Sequence, residues 1–465
     1  MENQQLVTVI HDNQSIQLHI NRMAIYHVCT IIEAVNAESE CFYLFFYKNQ
    51  FLTGRKASQL NRQSRIETVF KQGIVFHFPH PLIKALLTKN QPFIFQNFNQ
   101  LLKNVQRQYS PQETMMIFSF FDSFIQKEKL IKLMTNSFYQ YRRNGQLFLA
   151  YRIIRILRDF APESKLAQEI CNHIQYLKYA KLYDLPDQTL QEKDPLYAEQ
   201  LHFQQRENER FFSLLQTSLT KEDRWIDMAA LYIDQFIQSK EPDTDAYHVL
   251  FSFLSRHFSE EETSDLLQDL CTRGPVFPQL REDLFDLWMN LQRYNEAVQL
   301  LAEQQAPLTP SQYEQLIDAL ENSSLASDRL HIEKMNALLI YQTHPEKLEK
   351  LLRLCIPLLL RKYDLTFVKE WVQPFERLNF ALPTVQKVKK MVEMTEDPDQ
   401  QLGLGKLYYQ MNQLEKAVEC FSWEMELKPT DPVPVQWLTK VYRELGMIEE
   451  SKAYEYMYSN MQKYA

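Results

Sequence analysis

Residues 397–455 read DPDQQLGLGKLYYQMNQLEKAVECFSWEMELKPTDPVPVQWLTKVYRELGMIEESKAYE, and this stretch decides the fold. It repeats itself with a step of 34 residues: Leu404 recurs as Leu438, Tyr408 as Tyr442 and Leu414 as Ile448. A helix-turn-helix unit of that length cannot bury its apolar face alone and gains a core by stacking on a copy of itself. Within the first unit the residue types divide by size. Gly405 and Ala417 are small, Tyr408 and Phe421 are large, and Pro429 suits the end of the second helix. The second unit, from Pro432, keeps Leu438, Tyr442 and Gly446 but has Thr439 and Ser451 at the small positions. It runs out into ESKAYEYMYSNMQKYA, whose exposed polar residues suit a capping helix.

The rest of the composition agrees. A chain of 465 residues is too long for one ordinary core, so several domains or one extended array are expected. It holds only 7 glycines, too few for the phosphate loops, dinucleotide turns and nucleophile elbows that need them. No basic, then apolar leader opens MENQQLVTVIHDNQ, and the apolar run 115–125 is far short of a membrane span. The 6 cysteines (29, 41, 171, 271, 355, 420) form no CxxC pair and read as core or half-buried residues of a reducing, cytoplasmic compartment. The net charge of −8 is uneven: residues 1–160 carry 19 Lys+Arg against 10 Asp+Glu, and the remainder 32 against 49.

Taken in order, residues 5–21 alternate as a hairpin around HDNQS. Residues 22–36 place Ile25, Val28, Ile32 and Val35 on one helical face, although their β-branched content also allows a strand. ECFYLFFY, the turn KNQ and FLTGRK make a second hairpin; RIETVF, KQG and IVFHF make a third. A short helix from Pro81, a strand at PFIFQ and a helix ending near Gln108 complete an α+β part, 1–110. At Ser110 the character changes. Ser110-Pro111-Gln112-Glu113 is a helix start, with a hydroxyl cap, proline at the first position and a carboxylate reaching back. Ser259…Glu262, Thr309-Pro310…Gln312 and Thr343…Glu346 repeat it, and no strand is expected from there to the end.

The unit from Pro398 closely resembles a tetratricopeptide repeat. The family signature falls on Leu404, Gly405, Tyr408, Ala417, Phe421 and Pro429, while Gln401 and Glu424 depart from it. Degenerate copies fit Phe138, Tyr141, Gly145, Ala150 and Pro162, and again Leu284, Trp288, Tyr294 and Ala297. The fold expected is therefore mainly α: a tetratricopeptide-like α-solenoid preceded by a small α+β domain. Its segments are 1–110, a degenerate helical-repeat region 111–395, and a closing pair with capping helix at 396–465. The resemblance implies a concave groove lined by Asp399, Leu402, Lys406, Tyr409 and Gln410, then Val433, Gln436, Lys440, Arg443 and Glu444. Of these, Lys406, Tyr409, Gln410, Gln436, Lys440 and Arg443 are the candidate binding residues, with Lys406 and Lys440 at the same place in successive units. The pattern of residues 25–105 loosely resembles a GAF-type sensory domain, which would imply a small-molecule pocket under the sheet.

No sequence pattern names a reaction. His77 and His80 are the closest histidine pair, but no carboxylate or cysteine cluster accompanies them. His173, His248 and His257 read as single packed or surface residues. Tyr139, Tyr141, Arg142, Arg143, Arg152, Arg155 and Arg158 form a basic-aromatic cluster best read as a solvated helix face, since no nucleic-acid-binding motif surrounds it. The expectation is a cytoplasmic, non-enzymatic scaffold or adaptor that binds a protein or peptide in the groove. No cofactor, metal, nucleic-acid partner or membrane insertion is expected. The alternative is a regulatory protein whose N-terminal domain binds a small molecule or nucleic acid and signals through the helices.

Overall fold

The alternating and continuous apolar runs of the first hundred residues form one sheet. In a computed structural model that describes residues 6–11, 14–57, 60, 63–184, 188–321, 331–378 and 380–464, the strands are β1 (Leu6–His11), β2 (Gln14–Tyr26), β3 (Cys29–Val35), β4 (Cys41–Tyr47), β5 (Gln50–Ala57), β6 (Ile74–His77) and β7 (Phe93–Ile94). Their order is β5-β4-β3-β2-β1-β7, with β6 also paired to β2. The first and second expected hairpins form, β1 with β2 and β4 with β5. Lys48 and Asn49 turn the latter with φ of 46° and 63°, the left-handed pair that suits the twist of two antiparallel strands.

Two expectations are corrected. Residues 22–36 take the strand that their β-branched content allowed rather than the helix, as the end of β2 and all of β3, so the order that resembled a GAF-type domain lacks its opening helix. The reason is burial. On β4, Phe42 and Phe46 meet Phe95 and Phe93 while Phe45 meets Phe121 and Phe124 of the opposite side, so apolar residues are needed on both faces and the period of two is lost. RIETVF is not a strand; it lies in helix α1 (Arg65–Gln72), whose Ser64 hydroxyl accepts the Glu67 N–H.

The chain divides into two compact units, Met1–Leu280 and Arg281–Ala465. In the first, the sheet is followed by α2 (Pro81–Lys89), α3 (Phe98–Gln108), α4 (Pro111–Ser119), α5 (Lys127–Arg143), α6 (Leu147–Phe160), α7 (Lys165–Asn172), α8 (Leu177–Asp184), α9 (Gln188–Lys193), α10 (Pro195–Gln204), α11 (Glu209–Lys221), α12 (Trp225–Gln238), α13 (Thr244–His257) and α14 (Glu260–Arg273). Sheet and helices are bonded together within it. Buried Arg224 donates to Glu199 (2.6 Å), Asp227 (2.7 Å) and the carbonyl of His27 in the β2–β3 turn (2.8 Å), and Asn49 of the β4–β5 turn donates to Asp227 (3.1 Å). The change of character at Ser110 is thus a change of secondary structure inside one unit.

The second unit continues from within α15 (Pro278–Asn290) through α16 (Tyr294–Gln304), α17 (Pro310–Glu321), α18 (Asn336–Leu339), α19 (Pro345–Lys362), α20 (Leu365–Val372), α21 (Pro383–Thr395), α22 (Gln401–Gln410), α23 (Leu414–Leu427), α24 (Pro432–Glu444) and α25 (Ile448–Tyr464). The chain is mainly α, and among the described residues no strand follows β7. The reciprocal caps expected at Ser110, Ser259 and Thr309 form. The one at Thr343 does not: Pro345 opens α19, which makes His344 the capping residue, and no side chain caps it.

One turn recurs in both units. Gly145, Asp223, Gln292, Asn412 and Gly446 each have a left-handed φ, between 53° and 76°. After each, the next N–H reaches back to a carbonyl five residues earlier: Gln146 to Tyr141, Arg224 to Leu219, Arg293 to Trp288, Gln413 to Tyr408 and Met447 to Tyr442, all at 2.8–3.0 Å. A second bond runs from each left-handed residue to the carbonyl three before it. This is a complete Schellman closure, and the next helix starts one residue on. It closes the hairpins α5/α6, α11/α12, α15/α16, α22/α23 and α24/α25.

Candidate functional site

The residues proposed as a groove lie on α22 and α24. Gly405 lets α22 come close to α23: a Cβ there would stand 2.6 Å from the Phe421 ring. Phe421 in turn stacks on Trp437 of α24, ring centres 5.5 Å apart. Trp437 is half-buried and also meets Tyr409 edge-on at 5.3 Å. Lys440 Nζ lies 4.6 Å from the Tyr409 ring centre and 5.1 Å from that of Trp437, and Lys406 Nζ lies 5.8 Å from Trp437. The Tyr409 hydroxyl donates to Glu444, and the same hydroxyl beside Lys440 raises that ammonium above its usual pKa. Two ammonium groups thus share one aromatic platform, each held by the negative ring face.

Gln410 and Gln436 are exposed on the same helices. Arg443 is engaged elsewhere, its guanidinium 3.5 Å from Glu455 of α25. Sequence reasoning brought Lys406, Tyr409 and Lys440 together but missed Trp437. Its signal was there: Trp437 stands three residues before Lys440, so both fall on one helical face. Glu424, which departs from the repeat signature, is 1% exposed and held by Lys428 at 2.8 Å.

The other candidates fare differently. His77 is exposed on β6, whereas His80 is buried and caps α2 by accepting the Leu82 N–H. Burial, and after it Arg273, push the His80 pKa down to about 3. Among the described residues no group of three or more His, Cys, Asp and Glu side chains is arranged to hold a metal ion. The basic-aromatic cluster is corrected in part. Arg142, Arg143 and Arg158 are exposed, but Arg155 lies 4.7 Å from the ring centres of both Tyr183 and Tyr197 and donates to the Tyr197 hydroxyl at 2.6 Å. Arg152 lies 3.5 Å from the fully buried Asp194. The segment leading into α10 covers this stripe, which a reading of α6 alone could not foresee. The cysteines are free, with Cys29, Cys355 and Cys420 buried and the others half-buried. No helix among the described residues is long and apolar enough to cross a membrane.

No family model and no curated protein matches the sequence. Among solved structures, one described as "Structure of Naa15/Naa10 bound to HypK-THB" aligns with 78% of this chain at 13% identity and a TM-score of 0.19. This chain spans 60% of that one. A likeness of that size carries no argument about fold or function.

Proposed function

We propose that the protein is a non-catalytic, cytoplasmic scaffold of the tetratricopeptide-repeat kind, which holds a carboxylate-bearing peptide or partner helix in the groove between α22 and α24. The observation that carries this reading is the Trp437–Tyr409 platform with Lys406 and Lys440 over it. An extended peptide lies its apolar side chains on such rings while its carboxylates meet the ammonium groups. Gln410 and Gln436 flank the platform as hydrogen-bonding groups, and Arg443 joins it by exchanging Glu455 for a ligand carboxylate. In this reading the chain is built of three blocks, 1–110, 111–395 and 396–465, of which the last two carry the shared hairpin.

The test is co-purification of the full chain with its partners, wild type against the double variant Lys406→Glu, Lys440→Glu. Both lysines reach their rings from the surface, so the variant is expected to fold and to lose a partner that the wild type retains. An identical set of partners would refute the groove.

A further inference from the structure

Far from the groove in sequence, the first unit holds a cleft of about 990 Å³ whose walls are polar. Four stretches converge on it: Tyr26 at the end of β2, Arg65 at the start of α1, Lys127 and Arg158 from the α5/α6 hairpin, and Gln200 and Gln204 on α10. Its size lies at the upper end of small-molecule sites, about 300–1,000 Å³. Such sites are usually apolar; this one is built of amides, hydroxyls and charges, so its occupant must be rich in hydrogen-bonding groups.

Two features point to a ligand. The amide of Gln200 is on a residue only 8% exposed, lines the cleft, and has no hydrogen-bond partner among the described residues. That amide opens onto the cleft, where a bound group can pair with it. The guanidinium groups of Arg65 and Arg158 likewise make no ion pair among the described residues, whereas Lys127 is held by Glu163 at 2.7 Å. Asp122 and Asp159 also line the cleft, and Asp122 accepts the Arg65 backbone N–H. The two guanidinium forks feel the charge of Asp159 without pairing with it, and their geometry suits the oxygens of a phosphate. Carboxylates and amides suit the hydroxyl groups of what the phosphate is attached to.

We infer that this cleft binds the phosphate ester of a hydroxyl-rich small molecule, with Arg65 and Arg158 on the phosphate and Gln200, Gln204 and Asp122 on the hydroxyl-bearing part. The inference is independent of the groove. It is tested by calorimetric titration of the full chain with ribose 5-phosphate and adenosine 5′-monophosphate, each against its unphosphorylated parent, ribose and adenosine. Saturable binding of at least one ester is expected, with its parent weaker by about tenfold or more. Arg158→Gln, on an exposed side chain, and Arg65→Gln are expected to weaken the ester by a similar factor while leaving the melting temperature near wild type. The double variant Lys406→Glu, Lys440→Glu is expected to bind the ester as the wild type does. No heat with either ester, equal affinity for ester and parent, undiminished affinity in both arginine variants, or binding of a polyglutamate peptide alone would each overturn the inference.

Discussion

His27 turns the chain from β2 into β3 with a φ of 40°, and its ring is 3% exposed with Nδ1 unpaired. Desolvation, helped by the nearby charges of Arg224 and Arg65, lowers its pKa from 6.5 to about 3. The folded state therefore binds its proton less readily than the unfolded chain. The stability tied to this ring is fully present above pH 6.5 and is lost as the pH falls toward about 3. The slope in that window is about 1.4 kcal/mol per pH unit. His27→Asn keeps a residue that tolerates positive φ and removes the titration. Urea unfolding of both proteins between pH 7 and pH 5 is expected to show a flatter fall for the variant, by about that slope. Equal slopes would mean that the ring is hydrated in the folded state. His80 is shifted the same way, so some acid sensitivity remains in the variant.

At the scale of elements, several features that depend on neighbours in the chain were legible in the sequence, though the cap expected at Thr343 does not form. The capping boxes at Ser110 and Ser259 and the repeat at 397–455 are of that kind, because cap and helix, or small residue and facing ring, lie within one unit. Legibility failed where distant packing decides. Residues 22–36 look amphipathic in helical projection, yet they are strand because both sheet faces are covered. α1 was misread although Ser64 and Glu67 spell out its start, since the β-branched Ile66, Thr68 and Val69 favour a strand locally. The α11/α12 hairpin is not legible because Met228 stands where the other hairpins have Ala or Ser. In the candidate groove the lysines and Tyr409 were legible through their register; Trp437 and the pairing of Arg443 were not, being matters of how α24 meets its neighbours. The close approach of α22 and α23 gives a direct test. Gly405→Ala places a methyl against the Phe421 ring and is expected to cost about 1–3 kcal/mol. Gly145→Ala, with nothing within 4 Å of the new carbon and only its φ of 73° to offend, is expected to cost about 1 kcal/mol. Thermal unfolding of the two variants separates these causes; a Gly405→Ala protein as stable as wild type would mean that the two helices part freely.

At the scale of the whole molecule, a knot of charge ties the sheet turns to the helices of residues 1–280, beside aromatic contacts such as Tyr26–Phe203 and Phe45–Phe121. Burial works against the charge of Arg224, yet Glu199 and Asp227 hold its pKa above the usual arginine value. Removing the guanidinium strands two buried carboxylates beside the sheet turns. Arg224→Met is expected to destabilise the first unit by about 3–5 kcal/mol. Hydrogen exchange followed by mass spectrometry should show β2, β3 and β4 among the slowest segments of the wild type, and their protection should fall together with that of α12 in the variant. If the strands kept their protection while α12 lost it, sheet and helices would be separate cooperative units and the knot an ornament.

The turn shared by five hairpins has a consequence for how such a chain can change over generations. Gly, Asp, Gln and Asn all serve at the left-handed position, so what the turn requires there is a dihedral angle rather than a letter. Mutation can wander through several codons at each turn without opening the hairpin. A whole hairpin can also be duplicated or lost as a self-closing cassette. At 397–455 the shared turn geometry is accompanied by a 34-residue step in the letters themselves; in the other three hairpins the geometry stands without it.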